Sequence, residues 1–120
     1  MKIYIICPVR KISAEWRDGL LAYTHMLEKQ GHTVHLPFRD TDQNDRTGFN
    51  ICQNHAEAMA ESDEVHVAYD GVSEWLFDLG MAFILKKPVQ PITGYFPNAN
   101  NKGKSYVNMV WDWNAQSHDF

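Results

Sequence analysis

Cysteine is scarce in this 120-residue chain: Cys7 and Cys52 stand alone, and their spacing makes neither a zinc-type ligand set nor a disulfide framework. No secretory leader is recognisable, and no apolar run approaches the roughly 20 residues that a membrane span needs. These absences lead to the expectation of a reduced, cytoplasmic, soluble protein without a membrane partner. Positive charge is also short, with 11 Lys and Arg against 15 Asp and Glu for a net charge of -4. Phosphate backbones reward a clustered positive field, so a nucleic-acid polymer is not an expected partner. Missing too are a G-x-G-x-x-G after the first strand and a G-x-x-x-x-G-K-[ST] anywhere, which argues against hydride transfer and NTP hydrolysis. No cofactor and no metal are expected.

What the chain has is apolar and aromatic content, 44% and 12%, enough at this length for the core of one domain over residues 1–120. Residues 2 to 7 form an Ile-rich run stopped by Pro8, which predicts a buried first strand. Ile12, Trp16, Leu20, Tyr23 and Leu27 recur at steps of three and four, with Ser13 placed as N-cap and Gly31 as C-terminal glycine of an amphipathic helix. Thr33 to Leu36 reads as a second strand ended by Pro37, and the polar stretch Arg39 to Arg46 as a loop. A second helix is predicted from Gly48 to Glu61, its inner face holding Ile51, Cys52, His55, Ala56 and Met59. Glu64 to Tyr69 reads as a third strand closed by Asp70-Gly71. An apolar helix follows, then a short strand in 88–92 limited by two prolines, and Tyr106 to Trp113 as a last helix whose aromatics cover a core edge or a second subunit.

Alternating strands and helices predict a doubly wound α/β fold, flavodoxin- or Rossmann-like, with four to five parallel strands and helices on both faces. Ligands of such sheets sit at the carboxyl ends of the strands. That rule gathers Arg10, Arg39, Asp70 and Ser73 at one crevice. The two arginines are forked donors suited to a phosphate or carboxylate, or else solvated loop residues. Asp70 is a ligand-facing acid or a turn residue, and Ser73 a ligand contact or a helix cap. Cys52-x-x-His55 with His66 lacks enough ligands for a metal site, and Cys7 at a strand end is a nucleophile only if it is not simply buried.

The most informative position is Asp78, the one charged residue in the run Trp75-Leu76-Phe77-Asp78-Leu79-Gly80-Met81-Ala82-Phe83-Ile84-Leu85. An ionised carboxylate among aliphatic and aromatic side chains costs several kcal/mol unless donors or a helix N-terminus compensate. It is either a well-placed helix acid or the working carboxylate of an active site.

Three segments carry a resemblance: Lys2-Ile3-Tyr4-Ile5-Ile6-Cys7-Pro8, Ala58-Met59-Ala60-Glu61-Ser62-Asp63-Glu64-Val65-His66-Val67, and Phe77-Asp78-Leu79-Gly80-Met81-Ala82-Phe83-Ile84-Leu85-Lys86-Lys87-Pro88-Val89. Over about residues 2 to 92 the chain resembles the nucleoside 2-deoxyribosyltransferase superfamily. In the enzymes of that superfamily a helix Glu attacks the anomeric carbon of a nucleoside or nucleotide, and the resemblance puts Asp78 in its place. Shortening by one methylene displaces the attacking oxygen by roughly 1 Å, a shift worth about a hundredfold in rate unless the pocket is rebuilt. His55 stands where an acid is expected eight residues before Asp63, and Trp75-Leu76 where small residues are usual.

The resemblance implies a nucleoside or nucleotide N-glycosidase or deoxyribosyltransferase-like protein. In it Asp78 is the nucleophile or charge stabiliser, Asp70, Ser73 and His55 orient sugar and base, and Arg10 with Arg39 draws a phosphate. Its partners are a small-molecule nucleoside or nucleotide and further copies of the chain in a homo-oligomer. The alternatives are a non-catalytic nucleotide-binding or regulatory module using the same crevice, and a structural subunit associating through Tyr106, Trp111 and Trp113.

Overall fold

The computed structural model describes residues 1–71, 75–100 and 103–117 and alternates strand with helix along the chain. The elements are β1 (Lys2–Ile6), α1 (Ala14–Lys29), β2 (Thr33–His35), α2 (Pro37–Asp40), α3 (Phe49–Glu61), β3 (Glu64–Val67), α4 (Trp75–Ile84), β4 (Val89–Pro91) and α5 (Tyr106–Ser117). All strand pairs are parallel and the order is β2-β1-β3-β4. This is the predicted α/β architecture, with four strands. Crossing direction reverses between β1 and β3, the place where open α/β sheets form a crevice at their carboxyl ends.

Alternation along β1 builds two cores. Ile3, Ile5 and Cys7 face α1 and pack with Leu20, Leu27, Val34, Leu36 and Ile92. Tyr4 and Ile6 face the other way, toward Met59 of α3, Trp75, Leu79 and Ala82 of α4, and Val110 of α5. Both faces of the sheet are therefore covered, as expected for strands with few polar residues.

Local chemistry explains the element ends. Ser13 caps α1, its hydroxyl accepting from the Trp16 N–H at 3.1 Å, and the helix is followed by Gly31 at φ 96°. Pro37 does end β2, but it also opens the single-turn helix α2, where its missing N–H is no loss at the first helical position. Arg39 and Asp40 thus belong to a helical turn rather than to the expected loop. β3 stops at Val67, short of the expected Tyr69, because the Tyr69 N–H turns to the carbonyl of Tyr95 in the loop after β4. β4 is an edge strand of three residues, where Pro91 is tolerated. The last segment is a helix, α5, and its two tryptophans are engaged within the chain, Trp111 Nε1 donating to the Pro97 carbonyl at 2.8 Å and Trp113 meeting Phe83 edge-on at 5.3 Å, while Tyr106 is exposed.

Candidate functional site

Asp78 lies in the first turn of α4 and its side chain points back toward β1. The Tyr4 hydroxyl donates to Oδ2 at 3.0 Å, while Nδ1 of His55 on α3 stands 3.4 Å from Oδ1 and 3.3 Å from Oδ2. Side-chain exposure is 13% for Asp78 and 10% for His55. Three separate elements thus converge on one nearly buried carboxylate, supplying the donors that its position in an apolar helix requires.

Tyr4 and His35 take part in this site although neither is conspicuous in the sequence. They are register partners on β1 and β2, so their rings stack at 5.2 Å with 9° between planes. His35 Nε2 is 2.9 Å from Thr41 Oγ1, whose hydroxyl donates to Asn54 Oδ1 at 3.0 Å. Because the threonine proton is committed to an acceptor, His35 must donate through Nε2, which fixes the tautomer of its neutral ring. Burial, reinforced by His55 and Arg39 against the opposing charge of Asp40, holds His35 below the usual imidazole range.

Burial, then the charge of Asp78 and its hydrogen bond, raises the Tyr4 phenol far above its ordinary value, so it remains a donor at any working pH. Burial also lifts the Cys7 thiol, with Asp78 and then Asp70 adding to the effect. A thiol so placed stays protonated, which removes the nucleophile reading for Cys7.

Asp70 follows β3 and is exposed on the wall of a cavity of about 590 Å³, together with Trp16, Tyr69, Tyr95 and Phe96. Asp78 is not among the cavity walls. The two places touch through Trp75, one helical turn before Asp78, which stacks on Tyr69 at 4.1 Å and meets Phe96 edge-on at 6.0 Å. With one face of its indole against Tyr69 and only 7% of the residue exposed, Trp75 is a wall behind the aromatic cavity, not an open stacking platform.

The remaining sequence candidates separate. Arg10 is exposed in the turn after β1. Arg39 is braced inside the chain: its guanidinium donates to both Glu28 oxygens at 3.0 and 3.2 Å, to both Asp40 oxygens at 2.8 and 2.9 Å, and to the Val34 carbonyl at 3.0 Å. Those hydrogen bonds raise Arg39, and, against the desolvation that opposes them, lower Asp40. An anion would find this fork already neutralised by two carboxylates. Ser73 lies outside the described residues. His66 is buried on the α1 face, with the Tyr23 hydroxyl at Nδ1 and Glu64 Oε1 3.6 Å from Nε2. Burial and then the charge of Glu64 push Tyr23 up to about 12. His66 and His55 therefore sit on opposite faces of the sheet and cannot share one ion. No helix among the described residues is long and apolar enough to cross a membrane.

No protein-family model and no curated protein matches the chain. Its fold does match a solved structure, that of a 2-deoxyribosyltransferase from the psychrotolerant bacterium Bacillus psychrosaccharolyticus. The TM-score is 0.70 at 21% sequence identity, and the match covers 98% of this chain and 91% of that one. The architecture foreseen from the three sequence segments is thus the observed one: the chain has a 2-deoxyribosyltransferase-like fold.

Proposed function

We propose that this protein acts on the N-glycosidic bond of a nucleoside or nucleotide, with Asp78 as the reacting carboxylate. The observation that carries the reading is the seating of Asp78: nearly buried at the switch point of the sheet, held by Tyr4 and faced by His55. Oδ2 is fixed by the phenol, which leaves Oδ1, with its longer contact, to approach the anomeric carbon. As the new C–O bond forms, the C–N bond breaks and its electron pair leaves with the base, which takes up a proton. Water or a second base then resolves the glycosyl ester, giving hydrolysis or transfer respectively. The aromatic cavity supports a flat base, with Asp70 to accept from its N–H groups, and Arg10 draws a phosphate where one is present. Ser73 is assigned to the sugar from the sequence alone, and Arg39 is left to its structural role. The similarity of fold to a nucleoside-processing enzyme raises the prior and carries no residue assignment.

The purified chain, incubated with nucleosides, deoxynucleotides and NAD, is expected to release free base detectable by chromatography, and Asp78→Ala is expected to abolish the release. No release from any of them, or equal release by the variant, removes the catalytic reading. A second reading, a nucleotide-binding or regulatory module, is favoured by the engagement of both Asp78 oxygens and by the absence of Asp78 from the cavity walls. Calorimetric binding without turnover, retained in Asp78→Asn, selects it.

A further inference from the structure

Four aromatic rings, those of Trp16, Tyr69, Tyr95 and Phe96, stand on the walls of the cavity beside Asp70, and Asp70 is the one charged side chain among the described residues that line it. The rings are tilted to one another rather than stacked: Trp16 and Tyr95 are 5.0 Å apart at 84°, Tyr69 and Phe96 6.4 Å apart at 50°. Trp75 covers one face of Tyr69 from outside the cavity. Aromatic faces carry the negative part of the ring quadrupole, and a carboxylate among them, with no Lys, Arg or His on the described wall, gives the cavity a field of one sign. The net charge of -4 on the chain adds to it. A volume of about 590 Å³ admits a heterocycle of one or two rings.

We propose that this cavity takes the base of the substrate as a cation, so that the N-glycosides selected are those of a quaternised ring nitrogen, a pyridinium or an alkylated purinium; the inference rests on the reaction assigned to Asp78. Recognition follows from the walls, because a cationic heterocycle gains from every aromatic face it meets and from Asp70, whereas a neutral one gains from stacking alone. Proton supply points the same way. A neutral base must take up a proton as it leaves, and the imidazoles near the sheet are placed elsewhere: His55 against Asp78, His35 on Thr41, and His66 on the α1 face with Tyr23. None of them lines the cavity. A cationic base needs no proton. As Asp78 Oδ1 bonds to the anomeric carbon, the electron pair of the C–N bond returns to the ring nitrogen and cancels its charge, so carboxylate and cation become a neutral glycosyl ester and a neutral base. The charge on Asp78 costs free energy where it sits, with 13% of the side chain exposed, and this step removes it.

Two measurements on the full chain test this. In calorimetry, nicotinamide methylated on its ring nitrogen is expected to bind about tenfold or more tightly than neutral nicotinamide, an advantage lost in Asp70→Asn and reduced in Trp16→Leu. Asp70 is exposed, so the first variant keeps the fold and decides the matter even where the second does not fold. In the second measurement, base release is followed from nicotinamide riboside, from 7-methylguanosine and from guanosine; the two cationic substrates are expected to exceed guanosine by about tenfold or more in kcat/KM, and their ratio tells pyridinium from purinium. Equal or absent binding of the two nicotinamides, or a cation preference that Asp70→Asn leaves intact, overturns the proposal. So does guanosine cleaved as fast as its methylated form, an outcome that leaves the glycosidic reaction standing. Preferential binding of the cation with no base released from any of the three supports the cavity assignment and removes the reaction instead.

Discussion

Replacing Tyr4 by Phe removes one oxygen and leaves a ring that the core already encloses, since Tyr4 is fully buried. The loss is the 3.0 Å hydrogen bond to Asp78 Oδ2. Hydrogen bonds to a charged partner contribute about 1.5–3 kcal/mol, and Asp78 is too enclosed for water to substitute freely. With an unfolding entropy of roughly 2.1 cal/mol/K per residue, a chain of 120 residues loses about 1 °C of Tm for each 0.25 kcal/mol. Tyr4→Phe is therefore expected to melt about 6–12 °C lower. Asp78→Asn measured alone and combined with Tyr4→Phe closes a double-mutant cycle, and a coupling of about 1 kcal/mol or more is expected between the two sites. A Tm within 2 °C of wild type, or strictly additive losses, would refute the claim that the phenol holds this carboxylate.

Stability should also report on His35: its folded form resists protonation, so as pH falls through about 6.5 the unfolded chain takes up the proton first and stability drops, remaining lost below both values. Urea midpoints from pH 8 to 5 are expected to fall, with a shallower slope in His35→Asn; equal slopes would contradict the assignment. The two thiols should differ, because Cys7 is buried and held protonated whereas Cys52 is partly accessible. A chromogenic disulfide reagent is expected to titrate one thiol in the native protein and the second only after unfolding, and fast reaction of both would count against the seating of Cys7. Gly19→Ala places a methyl group against the Tyr95 hydroxyl, which must swing away from Trp16, its edge-on neighbour at 5.0 Å. The expected penalty is about 1–3 kcal/mol despite better helix propensity, and a melting temperature at or above that of wild type would show that Tyr95 moves freely.

What could be foreseen from the sequence was local. The Ser13 cap, the Gly31 terminus and the inner face of α3 follow from spacing along a single helix, and the helix of Asp78 from an apolar run with one acid. Features that depend on register were hidden. Tyr4 becomes a donor to Asp78 only because β1 presents it to α4, and His35 becomes its stacking neighbour only because β1 and β2 pair at that offset. Arg39 looked like a ligand-binding fork because Glu28, one of its acceptors, belongs to α1 and comes close only after folding. The one-turn α2 is hidden because proline both stops strands and starts helices, and the sequence does not say which prevails. The tryptophans of the last segment fall on a helix by their pattern, but the docking of Trp111 onto Pro97 and of Trp113 onto Phe83 depends on how the folded chain brings α4, α5 and the loop after β4 together.

β1 occupies the interior of the sheet, flanked by β2 on one side and β3 on the other. During translation its two borders are therefore supplied at different times, and the second, Glu64–Val67, emerges only past the midpoint of the chain. Until then β1 presents an unpaired edge of Ile-rich backbone, a template for wrong neighbours. The stretch of chain between α2 and β3 is consequently the one whose synthesis leaves that edge of β1 open.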